Sequence, residues 1–317
     1  MRNEAQAFFE ALQLARSVTI ATHINPDADT IGTGLGIYAL LKKYLDIPVE
    51  IVNASEVLPH YLDFLPGFTK IKKRSDYDGL IIACDGADAS RFGFDFNDRF
   101  IVNIDHHASN SHFGHINVIR SDYASCAETA YELLKTQWRI DAQSALCFYT
   151  GLFSDTRHFT TDAVDADTFR RASELIAYGA DPVTVAFNLT QRKSLASIRL
   201  LERALSSLRL YEEATVAVMT LEPDDFIATG ADMTDLEDIV DHGRSLATVD
   251  IAVLASVLPD GVVRISLRSK KSDVSKIAAR LGGGGHIRAA GVTIKDGKLQ
   301  EIVDTILHII SEFKRAS

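Results

Sequence analysis

The stretch Gly79-Leu80-Ile81-Ile82-Ala83-Cys84 is apolar throughout and stops on Asp85, and it limits what this chain can fold into more than any other stretch does. A strand without polar alternation has to be covered on both faces, which is the situation of a strand in a parallel sheet. Ser17-Val18-Thr19-Ile20-Ala21 and Phe100-Ile101-Val102-Asn103-Ile104 read as strands too, and Pro48-Val49-Glu50-Ile51-Val52 adds another. Helical stretches lie between them, among them residues 4–16 and a long helix capped by Asp29 or Thr30 and running through about Tyr44. Such alternation predicts an α/β first half, a mostly parallel sheet flanked by helices. If the strands are parallel, the residues that follow them meet at one rim: His23, Asp27 and Asp29, then Asp85, then Asp105-His106-His107. Open α/β sheets bind ligands at that rim.

Helices are predicted from Ser125 to Gln137 and from Asp141 to Ser154, the latter ending in Ser154-Asp155-Thr156-Arg157-His158, which adds a carboxylate, a cation and an imidazole. Asp162, Asp165 and Asp167 resemble a calcium loop only superficially, since the Gly and Glu such a loop needs are missing, and they read as caps for a helix from Asp165 to Tyr178. Gly32, Gly34 and Gly36 lie past a helix cap instead of in a strand-to-helix turn, so they do not form a dinucleotide-binding turn, and as small residues they let their helix approach the sheet closely. A length of 317 residues suits two domains. The boundary is placed as residues 1–191, a connecting or hinge segment 192–206, and residues 207–317. The second half is a smaller α/β domain: strands at 215–220, 249–257 and 262–268, a helix at 235–244, a helical turn at 276–281 that runs into Gly282-Gly283-Gly284-Gly285-His286, and an amphipathic helix at 299–314.

A formal charge of −10 argues against a wide surface for long duplex nucleic acid, which needs clustered Lys and Arg, while small or short phosphorylated ligands stay open. Three cysteines, Cys84, Cys126 and Cys147, have no zinc-like spacing and leave an odd count, which points to a reducing compartment. Residues 1–15 lack the apolar block of a signal peptide, and no stretch reaches ~18 apolar residues, so a cytoplasmic protein without a membrane span is expected.

The rim collects His23, Asp27, Asp29, Asp85, Asp105, His106, His107 and Asp155. Carboxylates crowded in one pocket repel unless protonated or paired, and divalent cations are the simplest remedy. A mixed His and Asp set suits Mn2+, with Mg2+ or Co2+ as alternatives. Two ions ~3.5–4 Å apart would clamp a phosphoryl oxygen and generate hydroxide near neutral pH, with Asp85 the simplest bridge. Four successive glycines suggest close approach to a ligand, their amides forming a nest for phosphate beside the basic residues Arg264, Arg268, Lys270, Lys271, Arg280 and Arg288.

These motifs carry a resemblance. His23-Ile24-Asn25-Pro26-Asp27-Ala28-Asp29, Asp85, Asp105-His106-His107, Asp155, and Gly282-Gly283-Gly284-Gly285-His286 with Ala289-Ala290-Gly291 look like the successive motifs of the DHH/DHHA1 phosphoesterase family. Over nearly the whole chain the sequence is similar to the short stand-alone members, the nanoRNase and pAp-phosphatase type. The resemblance implies one Mn2+ held by His23, Asp27 and Asp85 and a second by Asp29, Asp85, His106 and Asp155. It implies that His107, beside Asp105, contacts the scissile phosphate or protonates the leaving oxygen, that Arg268 holds substrate phosphate, and that Gly283, Gly284 and His286 bind the terminal nucleotide. Where such members often have Gly after the Asp-Thr of the fourth motif, this chain has Arg157-His158, a departure that bears on the substrate pocket. The expected partners are short RNA or DNA oligonucleotides or small nucleotides, and a homodimer is left open. Hydrolysis of cyclic-di-AMP or pApA is the nearest alternative, and a catalytically silent nucleotide sensor is another.

Overall fold

The computed structural model describes residues 2–96, 98–236, 238–295 and 297–316. The chain divides into two compact units, the first ending at Arg192 and the second beginning at Lys193.

The first unit runs through α1 (Arg2–Leu14), β1 (Val18–Thr22), α2 (Ala28–Tyr44), β2 (Val49–Val52), a short β3 (Ile71–Lys72), β4 (Leu80–Cys84), β5 (Ile101–Asp105) and β6 (Ile116–Ile119). Helices α3 (Cys126–Leu134), α4 (Ala142–Asp155), α5 (Ala166–Ala177) and α6 (Pro182–Ala186) follow. The strands form one sheet in the order β3-β2-β1-β4-β5-β6, with every neighbouring pair parallel. All residues of β1, β2, β4 and β5 are buried, as the apolar runs require. Ile20, Ile51, Ile82 and Ile104 face a core shared with Phe8, Leu35, Tyr131 and Phe148 from the helices. Their strand neighbours Ala21, Val52, Ile81 and Ala83 point the other way and are covered by Phe92 and Phe96, which come from a β4–β5 connection that holds a 3-10 turn, Ala89–Phe92. The strand order reverses between β1 and β4, and at that reversal the carboxyl ends of the strands open a crevice.

Two local expectations are corrected. The cap of α2 is Asp27, not Asp29 or Thr30: its carboxylate accepts the amides of Asp29 and Thr30 at 3.0 and 3.1 Å, which leaves Asp29 inside the first turn. Of the three glycines in α2, only Gly34 serves approach to the sheet, where an added Cβ would stand 2.8 Å from Thr22 and 3.0 Å from Ile51. A Cβ at Gly32 would meet the Cys147 carbonyl at 2.5 Å and one at Gly36 the Phe148 ring, so those two let α2 lie against α4. Asp165 caps α5 through a reciprocal pair with Thr168, as its position suggested.

The second unit comprises α7 (Leu195–Ser206), β7 (Arg209–Tyr211), β8 (Val216–Leu221), α8 (Pro223–Thr229), α9 (Ile239–Ser245), β9 (Ile251–Val257), β10 (Val263–Ser269), α10 (Val274–Arg280), β11 (Gly284–His286), β12 (Ala289–Ile294) and α11 (Leu299–Ala316). Its sheet has the order β11-β12-β10-β9-β8-β7, antiparallel except between β8 and β9. Ile265 and Leu267 face Ile277 of α10 and Ile306 and Ile310 of α11. On the opposite face, Met219 and Leu254 pack with Leu200 and Ala204 of α7, Phe226 of α8 and Val240 of α9. Both units are therefore α/β, as expected. Among the described residues no helix is long and apolar enough to cross a membrane.

Candidate active site

The crevice of the first unit gathers the residues that leave β1, β4 and β5. His23 follows β1, Asp85 follows β4, Asp105 ends β5 ahead of His106 and His107, Asp27 and Asp29 open α2, and Asp155 ends α4. Among the described residues of the first unit, ligand atoms fall into three groups, each within 4.8 Å: His23 with Asp27 and Asp85, Asp29 with His106 and Asp155, and Asp85 with Asp105 and His107. Asp85 belongs to two of them and has a left-handed backbone, φ 62°, which is unfavourable for a residue with a Cβ and is kept here by the buried turn.

His23 Nε2 lies 3.4 Å from Asp85 Oδ2 and 3.8 Å from Asp27 Oδ1. His106 Nε2 lies 3.4 Å from Asp155 Oδ2, 3.8 Å from Asp85 Oδ1 and 4.0 Å from Asp29 Oδ2. These separations are long for hydrogen bonds, yet each pair can reach a common ion at about 2.0–2.1 Å per ligand. Asp85 Oδ1 is buried and accepts no hydrogen bond among the described residues. A carboxylate oxygen in that state is costly unless a counter-charge meets it, so the donors present suit a divalent metal.

The imidazoles are held for that purpose. His23 Nδ1 is 2.9 Å from the Ile24 carbonyl and His106 Nδ1 3.3 Å from the Tyr123 carbonyl. A carbonyl only accepts, so each Nδ1 carries hydrogen and each Nε2 is presented to the carboxylates. His107 is held differently: its Nδ1 lies 2.7 Å from Asp105 Oδ1, while Asp105 Oδ2 accepts Asn110 Nδ2 at 2.6 Å. The fully buried Asp105 thus orients a neighbour. Asn110, a residue with no motif of its own in the sequence, orients Asp105 in turn.

Electrostatics follow from the crowding. Burial disfavours a charged His23, but the Asp27 and Asp85 carboxylates outweigh it and raise the imidazole to about 10. Burial likewise opposes charge on His107, and Asp105, Asp85 and Asp155 raise it to about 9. Burial together with the charges of Asp85, Asp155 and Asp27 pushes Asp29 well above the usual carboxylate range. Desolvation, with Asp85 and Asp27, outweighs the attraction of His106 and lifts Asp155 to about 6.

Arg157 and His158 come after Asp155 and the helix cap Thr156, and with Phe159 they form three successive left-handed residues, φ 46°, 63° and 64°. The His158 ring lies against Phe153, 4.6 Å between centroids. Phe153 sits two residues before Asp155 on α4, so the face that receives His158 differs from the one that carries the Asp155 carboxylate.

In the second unit Arg268 on β10 pairs with Ala289 on β12, and Ala289 pairs with His286 on β11. Directly paired positions share a face, so Arg268 and His286 stand on one side of the sheet, two strands or about 10 Å apart. Arg268 Nε is 3.8 Å from Asp241 Oδ2, and Asp241 Oδ1 also accepts Arg244 Nε at 2.7 Å. The glycine run is not a loop nest throughout: Gly284 and Gly285 belong to the edge strand β11. Positive φ demands glycine at 282 and 285, and contact with the Gly291 carbonyl demands it at 283. At Gly284 neither demand applies, and a Cβ would point into open space.

Two family models match the chain, "DHH family, N-terminal domain" over residues 17–152 and "DHHA1 domain" over residues 213–312. The bifunctional oligoribonuclease and PAP phosphatase NrnA of Thermus thermophilus is 30% identical over 302 residues, covering 93% of this chain and 89% of that protein. The cyclic-di-AMP phosphodiesterase PdeA of Listeria monocytogenes is 24% identical over 98% of this chain but only 49% of its own length. The solved structure of an exopolyphosphatase-related protein from Bacteroides fragilis superposes with a TM-score of 0.89 at 23% identity, covering 100% of this chain and 98% of that one, which speaks for the fold. The chain is a phosphoester hydrolase. It belongs to the DHH family, with a DHHA1 domain as its second half.

Proposed function

We propose that this enzyme hydrolyses short RNA or DNA oligonucleotides and 3'-phosphoadenosine 5'-phosphate in the cytoplasm, using two Mn2+ ions bound by its first unit. His23, Asp27 and Asp85 hold one ion, and Asp29, Asp85, His106 and Asp155 the other, with Mg2+ or Co2+ as substitutes of similar hardness. Such a pair, when bound, polarises a phosphoryl oxygen and lowers the pKa of water towards neutrality. The chain's own groups do the rest. Asp105 keeps Nε2 of His107 directed at the scissile phosphate or the leaving oxygen. Arg268 holds a substrate phosphate, while Gly283, Gly284 and His286 take the terminal nucleotide. Arg157 and His158, just beyond Asp155, bear on substrate choice. The division of labour is metal chemistry in residues 1–191 and anchoring in residues 207–317; of the segment 192–206 expected to connect them, Leu195–Ser206 is α7, packed into the core of the second unit.

The observation that carries this reading is the match to the Thermus enzyme along nearly the full length of both proteins. The net charge of −10 supports short substrates held at their ends over long ones tracked along a basic surface. A second reading, hydrolysis of cyclic-di-AMP or pApA, is favoured by the alignment of PdeA over 98% of this chain. A turnover panel with Mn2+ decides between them: dinucleotides to pentanucleotides, 3'-phosphoadenosine 5'-phosphate, pApA, cyclic-di-AMP and a strand of about 20 nucleotides. The expected result is highest kcat/KM on the shortest oligonucleotides and loss of all activity on chelation. Equal or better kcat/KM on the long strand, or full turnover in verified absence of metal, overturns the proposal.

A further inference from the structure

Outside the set of candidate ligands, the first unit holds a buried ion pair, Glu128 with Arg171, that the chemistry does not touch. Glu128, in the first turn of α3, is buried, as is Arg171 on α5, and Arg171 Nη1 donates to Glu128 Oε1 at 2.8 Å. Glu128 Oε2 accepts the Ala124 amide at 2.7 Å, and the Arg171 guanidinium lies over the Tyr123 ring at 4.3 Å. Arg171 Nε also donates to Glu132 at 3.0 Å. The pair thus grips the turn 123–128 at two points, a ring and an amide, while Ser125 caps α3 by accepting the Glu128 amide at 3.0 Å.

The other side of the same turn faces the candidate ligands. The Tyr123 carbonyl accepts His106 Nδ1, and the first two amides of α3 hold Asp29, Cys126 N at 2.8 Å from Oδ2 and Ala127 N at 3.0 Å from Oδ1. One turn therefore sets the rotation of an imidazole and the plane of a carboxylate. Both side chains belong to the group completed by Asp155, and neither belongs to the group of His23, Asp27 and Asp85.

We infer that Arg171 and Glu128 are positioning residues for one of the two metal positions, acting through the turn 123–128 on Asp29 and His106; this rests on the metal-binding reading given above. A buried ion pair contributes little to stability beyond what apolar side chains of similar volume supply, so stability alone does not account for its presence here. Outer partners of metal ligands, in contrast, typically govern affinity or activity by about 10–100-fold.

The test uses the full chain with both charges removed together, Glu128→Leu with Arg171→Met, so that no unpaired buried charge is left to unfold it, and Arg171→Lys as the conservative comparison. Mn2+ binding is titrated by electron paramagnetic resonance on metal-stripped protein, and thermal unfolding is followed in the same samples. The expected result is two classes of bound ion in the unaltered enzyme and, in the double variant, one class unchanged and the other weakened about 10–100-fold, with kcat falling, substrate KM unchanged and the unfolding temperature nearly preserved. Arg171→Lys should recover part of the lost affinity. Unchanged affinity for both ions in a folded double variant overturns the inference, as does equal weakening of both in step with lost stability. If the unaltered enzyme binds no divalent ion, the metal reading itself fails, which is a distinguishable outcome.

Discussion

Gly151 is where packing and chemistry meet most tightly. It stands on α4 one turn before Asp155, and a Cβ added there would lie 2.7 Å from Asp29 Oδ1, 2.7 Å from Ala127 Cβ and 3.3 Å from Asp29 Cα. Ordinary contact begins near 3.4 Å, so in Gly151→Ala the methyl and the carboxylate must part by about 0.7 Å. Asp29 cannot retreat freely, because its oxygens are held by the Cys126 and Ala127 amides. Overpacking of this kind costs about 1–3 kcal/mol, and replacing a helical glycine returns about 0.5–1 kcal/mol, so the net loss of stability is about 1–2 kcal/mol, a few degrees in Tm. The functional loss is larger: misplacement approaching 1 Å at a reacting centre costs on the order of 100-fold in rate, equivalent to about 2.7 kcal/mol of barrier. Gly34→Ala is the control, since its Cβ would press on Thr22 and Ile51 and on no candidate ligand. Mn2+ titration, turnover of a dinucleotide and thermal unfolding of both variants read the difference. Gly151→Ala that folds with unchanged metal affinity and turnover refutes the reasoning, and so does Gly34→Ala that loosens metal as much at equal stability.

Metal uptake should release protons. His23, raised to about 10 in the metal-free protein, is still protonated near neutral pH, so an ion must displace its proton and affinity must rise with pH; below about 6 the proton on Asp155 competes as well and affinity falls further. Calorimetry near pH 7.5 in buffers of different ionisation enthalpy should show at least about one proton released, and no buffer dependence would contradict it. Asp105→Asn removes the acceptor that aligns His107 and should lower kcat by about 100-fold or more while metal affinity stays within a few-fold; unchanged kcat would show that the alignment is idle. Arg268→Ala should raise KM on nucleotides at constant metal affinity, and a first unit that turns over equally well alone would count against any anchoring by the second. Gly284→Ala meets no atom within 4 Å, so it should leave Tm unchanged and weaken substrate binding; a drop in Tm with normal KM would reverse that assignment.

The strands β4 and β5 were legible because burial on both faces leaves no room for polar alternation, and their acidic ends were legible for the same reason, since a carboxylate after such a run stands out. The cap of α2 was not. Asp27, Asp29 and Thr30 are all good caps, and the choice was made by the extended backbone of Asp27, φ −103° and ψ −172°, which sends Asp29 towards the α3 amides. The α2 glycines were read as one set, although a four-residue spacing puts Gly32 and Gly36 on one face, against α4, and Gly34 on another. The carbonyls of Ile24 and Tyr123 and the amides of Cys126 and Ala127 carry no side-chain signature at all, so these parts of the site could only be seen in the fold. The left-handed run 157–159 was equally hidden, because none of its residues is the Gly or Asn that usually marks such a turn.

The reversal of strand order between β1 and β4 has a kinetic consequence. His23 and Asp85 become neighbours only when these two strands have paired, and α2, β2 and β3 lie between them in the chain. Half-formed structure therefore has nothing with which to capture an ion at that pair of ligands. An ion that needs both strands binds the native state and not the unfolded chain, so loading with metal should stabilise the folded enzyme; refolding at an unchanged rate with slower unfolding would place the β1–β4 pairing after the folding barrier, and faster refolding would place it before.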